Sequence, residues 1–170
     1  MKLKSGHVTA ILLLSVAASC VAQSVEAPLT STEGILRGRG FIYLTDYPYE
    51  IGYVDISIRA QSMRHTGLLR VRAFFEYTVF TEDYRDPIRT LRDAAVSLFY
   101  VEPHSFGYMA TVMGTATYQE GTTSGTAGFQ AIFVDADGDG YVERFTISYP
   151  GHDDVPFDMS AVQGKIALKP

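Results

Sequence analysis

One cysteine, Cys20, is all the chain has, so no disulfide can form within it. The fold must therefore hold itself by its core, by a metal or by a partner. Tryptophan is absent and only 19% of residues are charged, against 46% hydrophobic and 12% aromatic. That balance excludes an intrinsically disordered chain and fits a globular one. No apolar run is long enough for a permanent membrane helix: the longest, Val8 to Ala18, has about eleven residues where roughly 20 are needed. Basic excess is lacking too. The net charge is -5, and losing Lys2 and Lys4 with a leader would make the remainder more negative still, which argues against nucleic-acid binding.

What is present begins with that leader. Lys2 and Lys4, the short apolar stretch and the small residues behind it have the order of a secretory signal peptide, residues 1–19. Two cleavage points compete. Val16-Ala17-Ala18-Ser19-Cys20 fits a bacterial lipobox, which would leave Cys20 lipidated and the protein held at the outer membrane or cell surface. Cleavage after Ala22 would instead release a soluble periplasmic or secreted protein, and Cys20 would be only a small residue of the signal region. The only membrane contact expected is that lipid anchor. Residues 20–33 are small and polar without periodicity and read as a flexible tether.

From residue 34 to 170 the chain breaks into short runs rich in Val, Ile, Phe, Tyr and Thr, separated by Gly, Pro and Asp. The expected strands are 35–44, 51–61, 67–80, 95–101, 108–119, 127–134, 141–149 and 162–168. Val54, Ile56 and Ile58 alternate with Asp55, Ser57 and Arg59, and Leu69, Val71, Ala73 and Phe75 alternate with Arg70, Arg72, Phe74 and Glu76. Asp86-Pro87, followed by Ile88, Leu91 and Ala95, allows at most two turns of helix. The expectation is an all-β, single-domain antiparallel β-sandwich or partly closed barrel of about eight strands, with at most one short helix.

The strongest chemical signal is Asp135-Ala-Asp137-Gly-Asp139-Gly-Tyr141-Val-Glu143. Calcium takes six to eight oxygen ligands, and carboxylates at alternate positions of a tight loop converge on one point. Against an EF-hand loop, Asp135, Asp137 and Asp139 match positions 1, 3 and 5, Gly140 the turn, Tyr141 the backbone carbonyl and Glu143 position 9. The match stops at Thr146, where a bidentate Glu belongs, and the flanks are strand-like, so the loop belongs at a hairpin tip. Further oxygens would come from backbone, water or the His152-Asp153-Asp154 stretch. Asp-Gly pairs are equally the residues of plain hairpin turns. Four carboxylates in nine residues repel one another unless a cation lies between them, so Ca2+ is the one cofactor indicated.

Other motifs are thinner. His65, His104 and His152 have no second histidine at metal spacing and read as surface loop residues. Gly38-Arg39-Gly40 lacks a third glycine, and no Gly-x-Ser-x-Gly elbow occurs, so no catalytic constellation is visible. Glu76, Glu102, Glu120 and Glu143 could serve a glycan-active enzyme only if two of them faced each other across a cleft. Tyr43, Tyr47, Tyr49 and Tyr53 around Pro48 form a candidate binding patch, or a loop folded over a sheet edge.

Gly38 and Gly40, the Ala110 to Ala116 strand, Gly128-Phe129 leading to Asp139, Phe145 with Ile147, and Gly164 to Ile166 together resemble the post-COAP domains of secreted bacterial surface proteins. The resemblance implies a non-catalytic extracellular sandwich with no assigned ligand. The reading is a non-enzymatic module with an adhesion, envelope or scaffold role and an unidentified envelope or extracellular partner. A small-ligand-binding barrel is the alternative, and a glycan-active enzyme the second.

Overall fold

The computed structural model describes residues 30–44, 50–81, 86–154 and 162–170. The leader, Cys20 and residues 20–29 of the expected tether lie outside the described residues, as do Tyr47 and Tyr49.

Ten strands follow in chain order: β1 Thr30–Ser31, β2 Gly34–Tyr43, β3 Glu50–Ser62, β4 Leu69–Thr81, β5 Pro87–His104, β6 Gly107–Glu120, β7 Thr123–Asp135, β8 Arg144–Tyr149, β9 His152–Asp154 and β10 Gln163–Lys169. The chain is all-β, and no helix occurs among the described residues. Each strand from β2 to β8 pairs antiparallel with the next, and β10 returns to pair with β2, giving one curled antiparallel sheet. β1 lies off this path, parallel to β5. The curl draws the far side in, because the N–H of Val142 donates to the Ile166 carbonyl and that of Leu168 to the Gly140 carbonyl, both at 2.9 Å.

Alternation puts one side of each strand inside. Val54, Ile56 and Ile58 are buried while Ser57 and Arg59 are exposed. Phe75 of β4 stacks on Phe129 of β7 with centroids 4.6 Å apart, and Phe133 meets Phe145 at 4.7 Å. Rings from strands far apart along the sheet thus fill the interior.

The helix allowed at Asp86-Pro87 is replaced by the start of β5. Its ladder with β6 slips between Arg92 and Ala95 and again between Val96 and Leu98, with Asp93 at φ 53°. The helix-like spacing of Ile88, Leu91 and Ala95 marks no common face, since Leu91 is buried, Ile88 half-buried and Ala95 exposed, and the bulges interrupt the alternation that would have marked a strand. The bend also divides the partners of β5: Pro87–Leu91 pair with β4, whereas Leu98 and Phe99 pair with β1. Among the described residues the first half of β4, Leu69 to Glu76, therefore pairs with β3 alone. The end of the expected tether joins the sheet, since Thr32 donates from its N–H to Phe99 and Glu33 accepts the N–H of Ser62.

Candidate functional site

The acidic loop connects β7 to β8, at a hairpin tip and between strands. Asp135, the last residue of β7, is fully buried. Its two carboxylate oxygens accept the N–H groups of Gly138 at 2.7 Å and Gly140 at 3.1 Å, folding the loop back over its own start. Asp137 accepts the N–H of Asp139 and Asp139 that of Tyr141, each two residues ahead, as short acidic side chains do in turns. Glu143 reaches back to accept the N–H of Ala136 at 2.5 Å.

Glycine permits the loop to sit where it does. Gly138 has φ +83°, and a Cβ there would come within 2.3 Å of the Phe106 carbonyl, while a Cβ on Gly107 would come within 2.2 Å of the Asp135 carbonyl. The loop is thus pressed against the β5–β6 turn on one side. On the other it is tied to β10 through Gly140 and Val142.

Asp135, Asp137, Asp139 and Glu143 each bring one oxygen to a common point, all within 4.8 Å of one another. Oxygens on one calcium lie at most about 5 Å apart, twice the 2.3–2.6 Å bond, so this cluster has the size for a single cation. Burial, and then the charges of Asp137, Asp135 and Asp139, raise the proton affinity of Glu143 above the ordinary carboxyl value; its bond to Ala136 opposes them. Tyr141, assigned a carbonyl role from sequence, bridges to Ala167, and Lys165 Nζ stands 5.7 Å from its ring centroid.

The His152-Asp153-Asp154 stretch is not beside this cluster. It forms β9 along the far end of β8, with His152 opposite Tyr149, because the turn after Tyr149 sends the chain back along its own strand. Of the tyrosine patch, Tyr43 and Tyr53 are half-buried on β2 and β3, and Tyr53 packs on Phe41 at 4.8 Å. Glu120 and Glu143 sit at opposite ends of β7, a separation of roughly 35 Å at the usual rise per residue, so those two carboxylates do not face each other.

Two polar contacts at the end of the sheet away from the loop are invisible in the sequence. Arg89, with 8% of its side chain exposed, binds both carboxylate oxygens of Glu50 and donates to the Tyr149 hydroxyl. The Tyr118 hydroxyl donates to Glu120, and His152 Nε2 lies 3.4 Å from the same carboxylate oxygen. The tyrosine bond, as the largest cause, holds the Glu120 carboxyl below its ordinary value; burial opposes it, and His152 and Arg89 add to the lowering. Tyr118 and Glu120 are two residues apart, but the other partners are 30 or more apart, and only an arginine inside the apolar run Pro87-Ile-Arg-Thr-Leu hints at the first contact.

No protein-family model matches the chain, and neither a curated protein nor a solved structure matches it.

Proposed function

We propose that the protein is a non-catalytic extracytoplasmic β module, with an adhesion, envelope or scaffold role, whose Asp135–Glu143 loop binds calcium. The observation that carries the metal half is the four-carboxylate cluster, which repels itself when empty and whose loop touches β10 and the β5–β6 turn. A cation there neutralises the repulsion and fastens one end of the curled sheet. The chain has no disulfide to do so, and calcium is abundant outside the cytoplasm. The Phe75–Phe129 stack, joining two walls of the sheet as facing layers, supports the sandwich form of the fold, which the resemblance to post-COAP domains also implies. The ring-filled interior favours this reading over a ligand-holding barrel.

Thermal unfolding with calcium or EDTA tests the metal. With an extracellular-type affinity of about 0.1–1 mM, 1 mM calcium adds about 0.4–1.4 kcal/mol, a rise of about 1–6 °C in Tm for a domain of this size. An unchanged Tm overturns the calcium site. Mass spectrometry of the N-terminus in the producing organism tests export: a diacylglyceryl-modified Cys20 or a start at Gln23 supports it, and an intact Met1 overturns it.

A further inference from the structure

The net charge of -5 hides a cationic face. The outward positions of β10, β2, β3 and β4 carry Lys165 and Lys169, Arg37 and Arg39, Arg59, and Arg70 and Arg72. Of the other described basic residues, Arg64 is in the β3–β4 turn, and only Arg89, Arg92 and Arg144 lie elsewhere in the sheet. The outward carboxylates of these four strands are Asp55 and Glu76, and Asp55 is bound to Arg39 at 3.1 Å. Glu33 approaches at the strand ends, where it accepts the N–H of Ser62.

Two details mark the face as more than a solvated surface. Arg59 and Arg72 stand directly opposite each other across the β3–β4 ladder, where like charges repel and weaken a sheet unless an anion lies between them. Among the described residues neither they nor Arg70 has an ion-pair partner, and the three line a surface groove with Gln61, Ser62 and Met63. A second hollow opens on the same face between Arg37, Ser57 and the paired Arg39 and Asp55. On the same outward face Phe74, opposite Ser57 and next in line after Arg72, is 45% exposed and is an apolar surface for the C–H side of a sugar.

We infer that this face binds a linear acidic polysaccharide, its carboxylate or sulfate groups seated on the arginines. Guanidinium forks match both oxyanions in pairs of parallel hydrogen bonds. The cations spread over four strands, which suits a chain and not a single small anion. The sheet is curled, so a flat bilayer would meet it along a line, whereas a flexible polymer follows it. Single-stranded nucleic acid is held on several exposed stacking aromatics, whereas of the outward rings on these strands Phe74 is exposed and Phe41, Tyr43 and Tyr53 are half-buried. The face is separate from the acidic loop and independent of its occupancy.

The test is binding of the full chain to dextran sulfate and to polygalacturonate, in EDTA so that calcium at the acidic loop cannot bridge to the polymer. Both should bind, neutral dextran should not, and raising salt from about 0.05 to about 0.5 M should weaken binding by about tenfold or more. The double variant R59Q/R72Q should lose about tenfold in affinity, the scale of losing charge-assisted contacts. R72E should lose as much while melting no lower than the parent, since it replaces a repulsive cross-strand pair with an attractive one. Equal binding of neutral dextran, full binding by a folded R72E variant, or tighter binding of phosphatidylglycerol vesicles or a single-stranded oligonucleotide than of either polysaccharide overturns the inference.

Discussion

Arg89 grips Glu50 through both ends of its guanidinium, at 2.6 and 3.2 Å, while its Nε donates to the Tyr149 hydroxyl at 3.0 Å. One side chain thereby joins the start of β3, the start of β5 and the end of β8. Removing one partner of a buried pair leaves the other charge desolvated and without that counter-charge. We expect Glu50→Ala to cost about 3–5 kcal/mol in chemical denaturation, and the double variant E50A/R89M to cost less than E50A alone. Simple additivity of the two substitutions would show that the pair is not coupled.

The acidic loop should respond to charge before it responds to shape. The raised proton affinity of Glu143 in the fold means that protonation favours folding. That contribution is complete below the unfolded carboxyl value and vanishes as pH rises through the folded one. Glu143→Gln keeps an acceptor for Ala136 and removes the charge. In EDTA at neutral pH it should melt higher than the parent, and added calcium should raise its Tm less. Thermal melts with and without calcium check both.

Glu120 runs the other way. Its folded value is lowered, so its contribution to stability is present above the unfolded value and fades as pH falls through the folded one. A carboxyl-carbon NMR titration should place Glu120 below the ordinary carboxylate range. Tyr118→Phe, which deletes the largest cause, should move it upward; no movement would mean that the tyrosine bond does not set it.

Two glycines of positive φ separate conformation from contact. Gly121, at φ +54°, has open space where a Cβ would go, whereas a Cβ on Gly138 would come within 2.3 Å of the Phe106 carbonyl. Gly121→Ala should cost about 1–2 kcal/mol, the backbone penalty alone. Gly138→Ala should cost more and should also weaken calcium binding, read by urea denaturation and calorimetry.

The core is sensitive at the Phe75–Phe129 stack. Phe75→Ala should cost about 3–5 kcal/mol in urea denaturation, because the facing wall cannot collapse fully into the space.

Each of the eight expected strands has its counterpart because alternation is local: Val54, Ile56 and Ile58 mark the inner face of β3 with no knowledge of its neighbours. The same reading failed in β5, where the register slips after Arg92 and Val96 interrupt the alternation and the helix-like spacing of Ile88, Leu91 and Ala95 joins residues of unlike burial. The acidic loop was legible as a cluster because its carboxylates are close in sequence. The Arg89–Glu50 pair and the contact of His152 with Glu120 depend on strands that meet only in the folded sheet. The cationic face was hidden for the same reason, as Arg59 and Arg72 become opposite only through the β3–β4 register.

The half-strand from Leu69 to Glu76, which β5 abandons where it bends, leaves backbone groups able to recruit a strand from another molecule. A second copy adding itself there would bring its own Arg70 and Arg72 alongside those already present. The bend thus exposes a strand edge at a place where Arg70 and Arg72 discourage the chain's own polymerisation.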